Sequence, residues 1–180
     1  MAAYKQRGGM VQKPSPPLVL QPVLEVPGIG TLAIAPTCWA AALSSWLIAA
    51  RAEERSIADL VKTFAPYLSD GGSLQLNHFK DVAESYLVRM DFEAVRGSEL
   101  TWDYLYDKLT YSYVYTMLIG SQMSHAVVIY AITLDSRGTR DVHLMDPKDG
   151  MIQGVLSMFQ KRSSTFVVGW AKEGTRFMLS

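Results

Sequence analysis

The chain has a single cysteine, Cys38, among its 180 residues. This excludes an internal disulfide and a cysteine-rich metal site, and it fits a reducing compartment. The 3 histidines are scattered without ligand spacing, so neither a metal nor a cofactor is expected. No sign of charge dominates, because 17 Lys and Arg offset 17 Asp and Glu. That balance argues against nucleic acid or an anionic membrane surface as main partner. No apolar run approaches the roughly 18 residues needed to span a bilayer, so no membrane span is expected. Gly28-Ile29-Gly30 is too short for a phosphate loop, and no internal repeat is visible.

What remains is apolar and globular. Hydrophobic residues make up 49% and charged residues 19%, enough for one domain with a sizeable core. Met1 to Pro17 carries Lys5, Arg7, Lys13, Gly8-Gly9 and three prolines but no apolar h-region. The expectation is a flexible N-terminal arm over 1–17 and one domain over 18–180.

Val19 to Val26 predicts an edge strand or extended segment, interrupted by Pro22. A turn follows at Pro27 to Gly30. Pro36 and Thr37 are helix-start signals, and Leu43, Trp46, Leu47 and Ala50 share the buried face of a helix from Cys38 to about Arg55. Ser56 to Asp59 spells a capping box for a second helix. A third is expected over about Leu76 to Tyr86 and a fourth over Thr101 to Leu109. Met90, Phe92 and Ala94 alternate with charged residues as in a half-buried strand. Tyr113–Ile119, His125–Thr133, Asp141–Asp146 and Ser164–Trp170 read as strands rich in Val, Ile, Tyr and Phe. Helices first and strands afterwards predict an α+β fold, a helical half packed on an antiparallel sheet or partial barrel.

Three residues stand where chemistry can occur. Cys38 falls in the first turn of a helix, where unpaired N–H groups and the helix dipole favour negative charge, the condition in which a cysteine acts as thiolate. His125 opens an apolar strand at the rim of the core. Asp146 closes the following strand ahead of Pro147, one strand from His125, where a carboxylate can accept the imidazole N–H. A thiol nucleophile needs a base, and the base needs an orienter. His143 is expected on the sheet face opposite Val142 and Leu144, and His78 on a helix surface. Trp46, Trp102 and Trp170 read as core, Trp39 as packing beneath the site. Tyr111, Tyr113 and Tyr115 read as one half-exposed sheet face.

The order Cys38-Trp39-Ala40-Ala41, then Ser124-His125-Ala126-Val127-Val128, then Met145-Asp146-Pro147 resembles a papain-like cysteine peptidase. The resemblance is to compact bacterial forms such as bacteriocin-leader peptidases and secreted effector proteases, and it spans about Val19 to Trp170. It implies a thiol hydrolase cleaving peptide bonds, with Cys38 as nucleophile, His125 as general base and acid, and Asp146 as orienter. It also implies a protein or peptide substrate, and either a cytoplasmic location or export as an effector by secretion machinery without a signal peptide. The same triad serves a transglutaminase or deamidase, and a papain-like module without turnover is the other alternative. One departure is visible: members of the family carry an oxyanion-binding Gln some six residues before the nucleophile, where this chain has Leu32. Gln21 is the substitute, provided an insertion returns it to the site.

Overall fold

The computed structural model describes residues 10–25, 32–34, 37–50, 54–69, 73–74, 78, 90–120 and 125–172. The turn expected at 27–30 lies outside these residues. So does the helix expected over 76–86, apart from His78, which is helical. Among the described residues no helix is long and apolar enough to cross a membrane.

The strands are β1 (Val11–Gln12), β2 (Val23–Glu25), β3 (Leu32–Ile34), β4 (Met90–Arg96), β5 (Val114–Ile119), β6 (His125–Leu134), β7 (Arg140–Asp146), β8 (Gly150–Val155) and β9 (Thr165–Ala171). The helices are α1 (Cys38–Ala49), α2 (Ile57–Phe64), α3 (Trp102–Tyr111) and α4 (Leu156–Gln160). Seven strands form one antiparallel sheet in the order β4-β9-β5-β6-β7-β8, with β1 added along β6, while β2 and β3 pair as a separate hairpin. This is the expected α+β architecture, with a sheet rather than a barrel.

Alternation of side chains along the strands gives the sheet two apolar faces. Tyr115, Met117, Ala126, Val128 and Met145 pack against Trp39, Leu43 and Trp46 of α1 and Leu60 and Phe64 of α2. Val127, Ile129, Leu144, Phe166 and Val168 pack against Leu105 and Leu109 of α3 and Phe159 of α4. The local signals for the flanking helices hold. Ser56 and Asp59 form both halves of the capping box of α2, and the Thr101 hydroxyl accepts from the Tyr104 N–H, 3.2 Å, at the start of α3.

Helix α1 differs from the one-faced helix expected, because every residue from Cys38 to Leu47 is buried. Ala40, Ala41 and Ala42 give it a slim first turn, and its two serines find partners outside the helix. Ser44 Oγ donates to the Arg55 carbonyl and Ser45 Oγ to the Pro17 carbonyl, each at 2.7 Å. Trp46 Nε1 donates to the Tyr113 carbonyl at 2.7 Å. The helix ends at Ala49, with Ala50 as its C-cap, short of Arg55.

Residues 11–14, within the segment expected as a flexible arm, make specific contacts with the rest of the chain. Val11 and Gln12 pair with Ile132 and Ala131, Lys13 N–H donates to the Tyr130 carbonyl at 3.0 Å, and the Tyr113 hydroxyl donates to the Pro14 carbonyl at 3.0 Å. Composition pointed to mobility, but β6 outruns β5 and offers a free edge that β1 fills. β8 and α4 also lacked a sequence signal, since Gly150, Gln153 and Gly154 dilute the strand pattern.

One tight approach fixes the turn into α3. A Cβ on Gly97 would meet the Gln160 carbonyl oxygen at 2.5 Å and that of Ser163 at 2.8 Å. Gly97→Ala is therefore expected to lower unfolding stability by about 1–3 kcal/mol in denaturant titration.

Candidate active site

The register of β6 on β7 pairs Val128 with Met145. This brings the start of β6, at His125, and the end of β7, at Asp146, to the same end of the sheet. The two side chains meet there. His125 Nε2 lies 2.9 Å from both carboxylate oxygens of Asp146, the imidazole N–H donating. Asp146 is completely buried, although its side chain is charged. Its Oδ1 also accepts from the Lys148 N–H at 2.8 Å and the Asp149 N–H at 3.4 Å. The Asp-Pro turn thereby supplies the donors that a buried carboxylate requires.

Cys38 begins α1, as its sequence context indicated, and its thiol is hydrogen-bonded to the His125 side chain. Since Nε2 is committed to Asp146, Nδ1 is the ring nitrogen left for sulfur. The three residues thus form one chain of contacts, carboxylate to imidazole to thiol. Burial acts to lower the His125 pKa, but the hydrogen bonds to Asp146 and Cys38, with the negative charge on both, outweigh it and raise it to about 9. For Asp146, burial acts to raise the pKa. The bond and charge of His125 and the two backbone N–H donors overcome this and hold it below the usual carboxylate range. The outcome at neutral pH is a protonated ring beside an ionised Asp146 carboxylate.

Thr37, expected to cap α1, does not do so. Its backbone sits at φ −112°, ψ 16°, and its side chain makes no cap bond, whereas a capping residue is normally extended. The first-turn N–H groups therefore receive nothing from the Thr37 hydroxyl, and the helix start beside the sulfur keeps its attraction for negative charge.

Gln21 also comes to this end of the sheet. Its N–H donates to the carbonyl of Pro147, the residue after Asp146, at 3.1 Å. The β2–β3 hairpin pairs Val23 with Ile34, so the chain that leaves Gln21 returns four residues before Cys38. Leu32, which occupies the position where the family pattern places Gln, lies inside this hairpin opposite Glu25.

The other histidines stand apart from these three residues. His143 Nε2 is 2.7 Å from Thr133 Oγ1, and burial lowers its pKa. His78 is exposed, with its ring 5.7 Å from that of Tyr67. Trp39 is buried edge-on to Phe64, beneath the site. Trp46 and Trp102 are core, but Trp170 is only half-buried under the Lys108 ammonium, 3.4 Å from its ring centre.

Sequence reasoning missed Tyr115. The face expected to be half-exposed is not one: Tyr113 and Tyr115 are buried, while Tyr111 is exposed at the end of α3. Tyr115 lies under the first turn of α1, its hydroxyl donating to the Trp39 carbonyl at 3.4 Å. Burial, then the negative charge of Cys38, raises its pKa well above that of a free tyrosine. It is a neutral donor supporting the helix start. Tyr115→Phe is expected to cost about 1 kcal/mol of stability in urea titration. A cost indistinguishable from zero would remove this role.

No family model matches the chain, and no curated protein matches it. Among solved structures it is similar to the crystal structure of a double glycine motif protease from an AMS/PCAT transporter in complex with the leader peptide. That match has a TM-score of 0.51 at 12% sequence identity and covers 91% of this chain and 99% of the other. The fold is therefore papain-like α+β, with α1 packed on the antiparallel sheet.

Proposed function

We propose that this protein is a thiol hydrolase that cleaves peptide bonds, with Cys38 as nucleophile, His125 as proton carrier and Asp146 as orienter. The observation that carries the reading is the continuous contact from a wholly buried carboxylate through an imidazole to a thiol at a helix start. Such a chain is what an activated nucleophile requires.

The chemistry follows from the geometry. Asp146 fixes the ring so that Nδ1 faces sulfur, and the Cys38 proton resides on that nitrogen. The thiolate attacks the carbonyl carbon of the scissile bond, and the carbonyl oxygen becomes an oxyanion. The Cys38 N–H, in the first turn of α1, supplies one hydrogen bond to it. Gln21 supplies the second from its carboxamide, supported by the hairpin that returns the chain to α1 and by the Pro147 contact. Imidazolium then protonates the departing amine, leaving a thioester on Cys38. His125 takes a proton from water, the hydroxide attacks the thioester, and acid and thiol are released.

Acyl transfer to an amine shares each residue and differs only in the acceptor. The module without turnover drew its support from Leu32. The pairing of Leu32 with Glu25 in the β2–β3 hairpin, with Gln21 beside Pro147, favours turnover over that reading.

The neighbour's name suggests a first substrate class, extended leader peptides with a double-glycine motif. The direct test is mass spectrometry after treatment with the epoxide E-64. One adduct is expected, on Cys38, and incubation with such peptides is expected to give new N-termini. An unlabelled Cys38 at millimolar E-64, with no peptide cleaved, would overturn the proposal.

A further inference from the structure

Ser45 is the least expected polar residue in α1. It is 0% exposed, two turns from Cys38, in a helix interior where alanine is the better helix former. A buried helical serine commonly bonds back to the carbonyl one turn earlier. Here the hydroxyl turns away from the helix and donates at 2.7 Å to the carbonyl of Pro17, 28 residues earlier in the chain.

That bond is one of a series. Lys13 N–H binds the Tyr130 carbonyl, the Tyr113 hydroxyl binds the Pro14 carbonyl, Ser45 binds Pro17, and Gln21 N–H binds the Pro147 carbonyl. The anchors lead the segment from the side of β6, over the catalytic helix, to the residue after Asp146. Pro14, Pro16 and Pro17 each fix one backbone angle, and the residue before each is restricted as well. A segment so stiffened transmits the position of one anchor to the next. Leu18 and Leu20, between Pro17 and Gln21, are exposed and add little of their own packing.

We propose that Ser45 is a positioning residue for catalysis, holding the Pro14–Pro17 strap so that Gln21 is presented to the oxyanion formed at Cys38. From Val11 on, the segment expected as a flexible arm is a working part of the site. This rests on the thiol-hydrolase reading and on Gln21 as oxyanion donor, and it adds what keeps that donor in place.

The test is a double-mutant cycle on the full chain. Ser45→Ala and, from a second anchor, Tyr113→Phe are each combined with Gln21→Ala, and kcat and KM are measured on one peptide substrate. Removing an oxyanion donor outright costs about 10²–10³ in rate, and a loosened strap forfeits part of that. Ser45→Ala is expected to lower kcat about tenfold with KM within about twofold. In the Gln21→Ala background the same change is expected to cost less than about twofold. Alkylation of Cys38 by iodoacetamide, which forms no oxyanion, is expected to keep its rate in Ser45→Ala. An equal loss in both backgrounds, no loss in either, or slowed alkylation overturns the positioning role, and Tyr113→Phe decides in the same way should Ser45→Ala fold poorly. If Gln21→Ala costs nothing while Cys38→Ala is inactive, the strap proposal falls and the hydrolase reading stands. Full activity in Cys38→Ala overturns both.

Discussion

Replacing Cys38 by alanine is expected to lower peptide hydrolysis by about 10⁴-fold or more, the scale seen when a triad nucleophile is removed. The fold should survive. Alanine fills most of the space of the thiol, and the contacts of α1 with the sheet come from Trp39, Leu43 and Trp46, so unfolding stability should stay within about 1 kcal/mol. His125→Ala is expected to match that loss, because without the ring the sulfur has neither a proton acceptor nor a positive neighbour. His143→Ala serves as the control: its ring binds Thr133 Oγ1 and lies three residues along β7 from Asp146, about 10 Å. Its activity should be native within twofold. Comparable losses at His125 and His143 would contradict the assignment.

Asp146→Asn is expected to lower kcat/KM on the order of 10³-fold, since an amide cannot both hold the ring N–H and keep the two backbone donors satisfied. Its sharper signature is in the pH profile. His125 carries its proton below about 9 and loses it above, so the imidazolium–thiolate pair of the native enzyme should decay along an alkaline limb near pH 9. The asparagine variant removes the hydrogen bond and the charge that raise the His125 pKa, while burial, which lowers it, persists. The alkaline limb should therefore move toward neutrality. Should the limb hold its place in Asp146→Asn, the carboxylate is not coupled to the ring.

Much of this site was legible because its signals are local. Pro36-Thr37 ahead of an apolar run marks a helix start, and Cys38 does open α1. His125 and Asp146 stand at a strand start and a strand end, and adjacent antiparallel strands bring such positions together. The rest depends on partners distant in sequence. Thr37 has the chemistry of a cap and not its backbone angles. The docking of Lys13 and Pro14 depends on a free edge of β6 and on Tyr113, about a hundred residues later. That Gln21 lies close to the residue after Asp146 depends on Pro147, more than a hundred residues later. Tyr115 reads as one of several tyrosines on a strand face, and only α1 lying over it makes it part of the site.

The central claim, that the Cys38 sulfur is activated by a ring that Asp146 steadies, is tested most directly by the iodoacetamide alkylation rate of Cys38 at neutral pH. Native protein should label faster than a simple thiol such as glutathione, and His125→Ala should lose that advantage. Slow labelling of native protein, or a rate unchanged by removing His125, would contradict it.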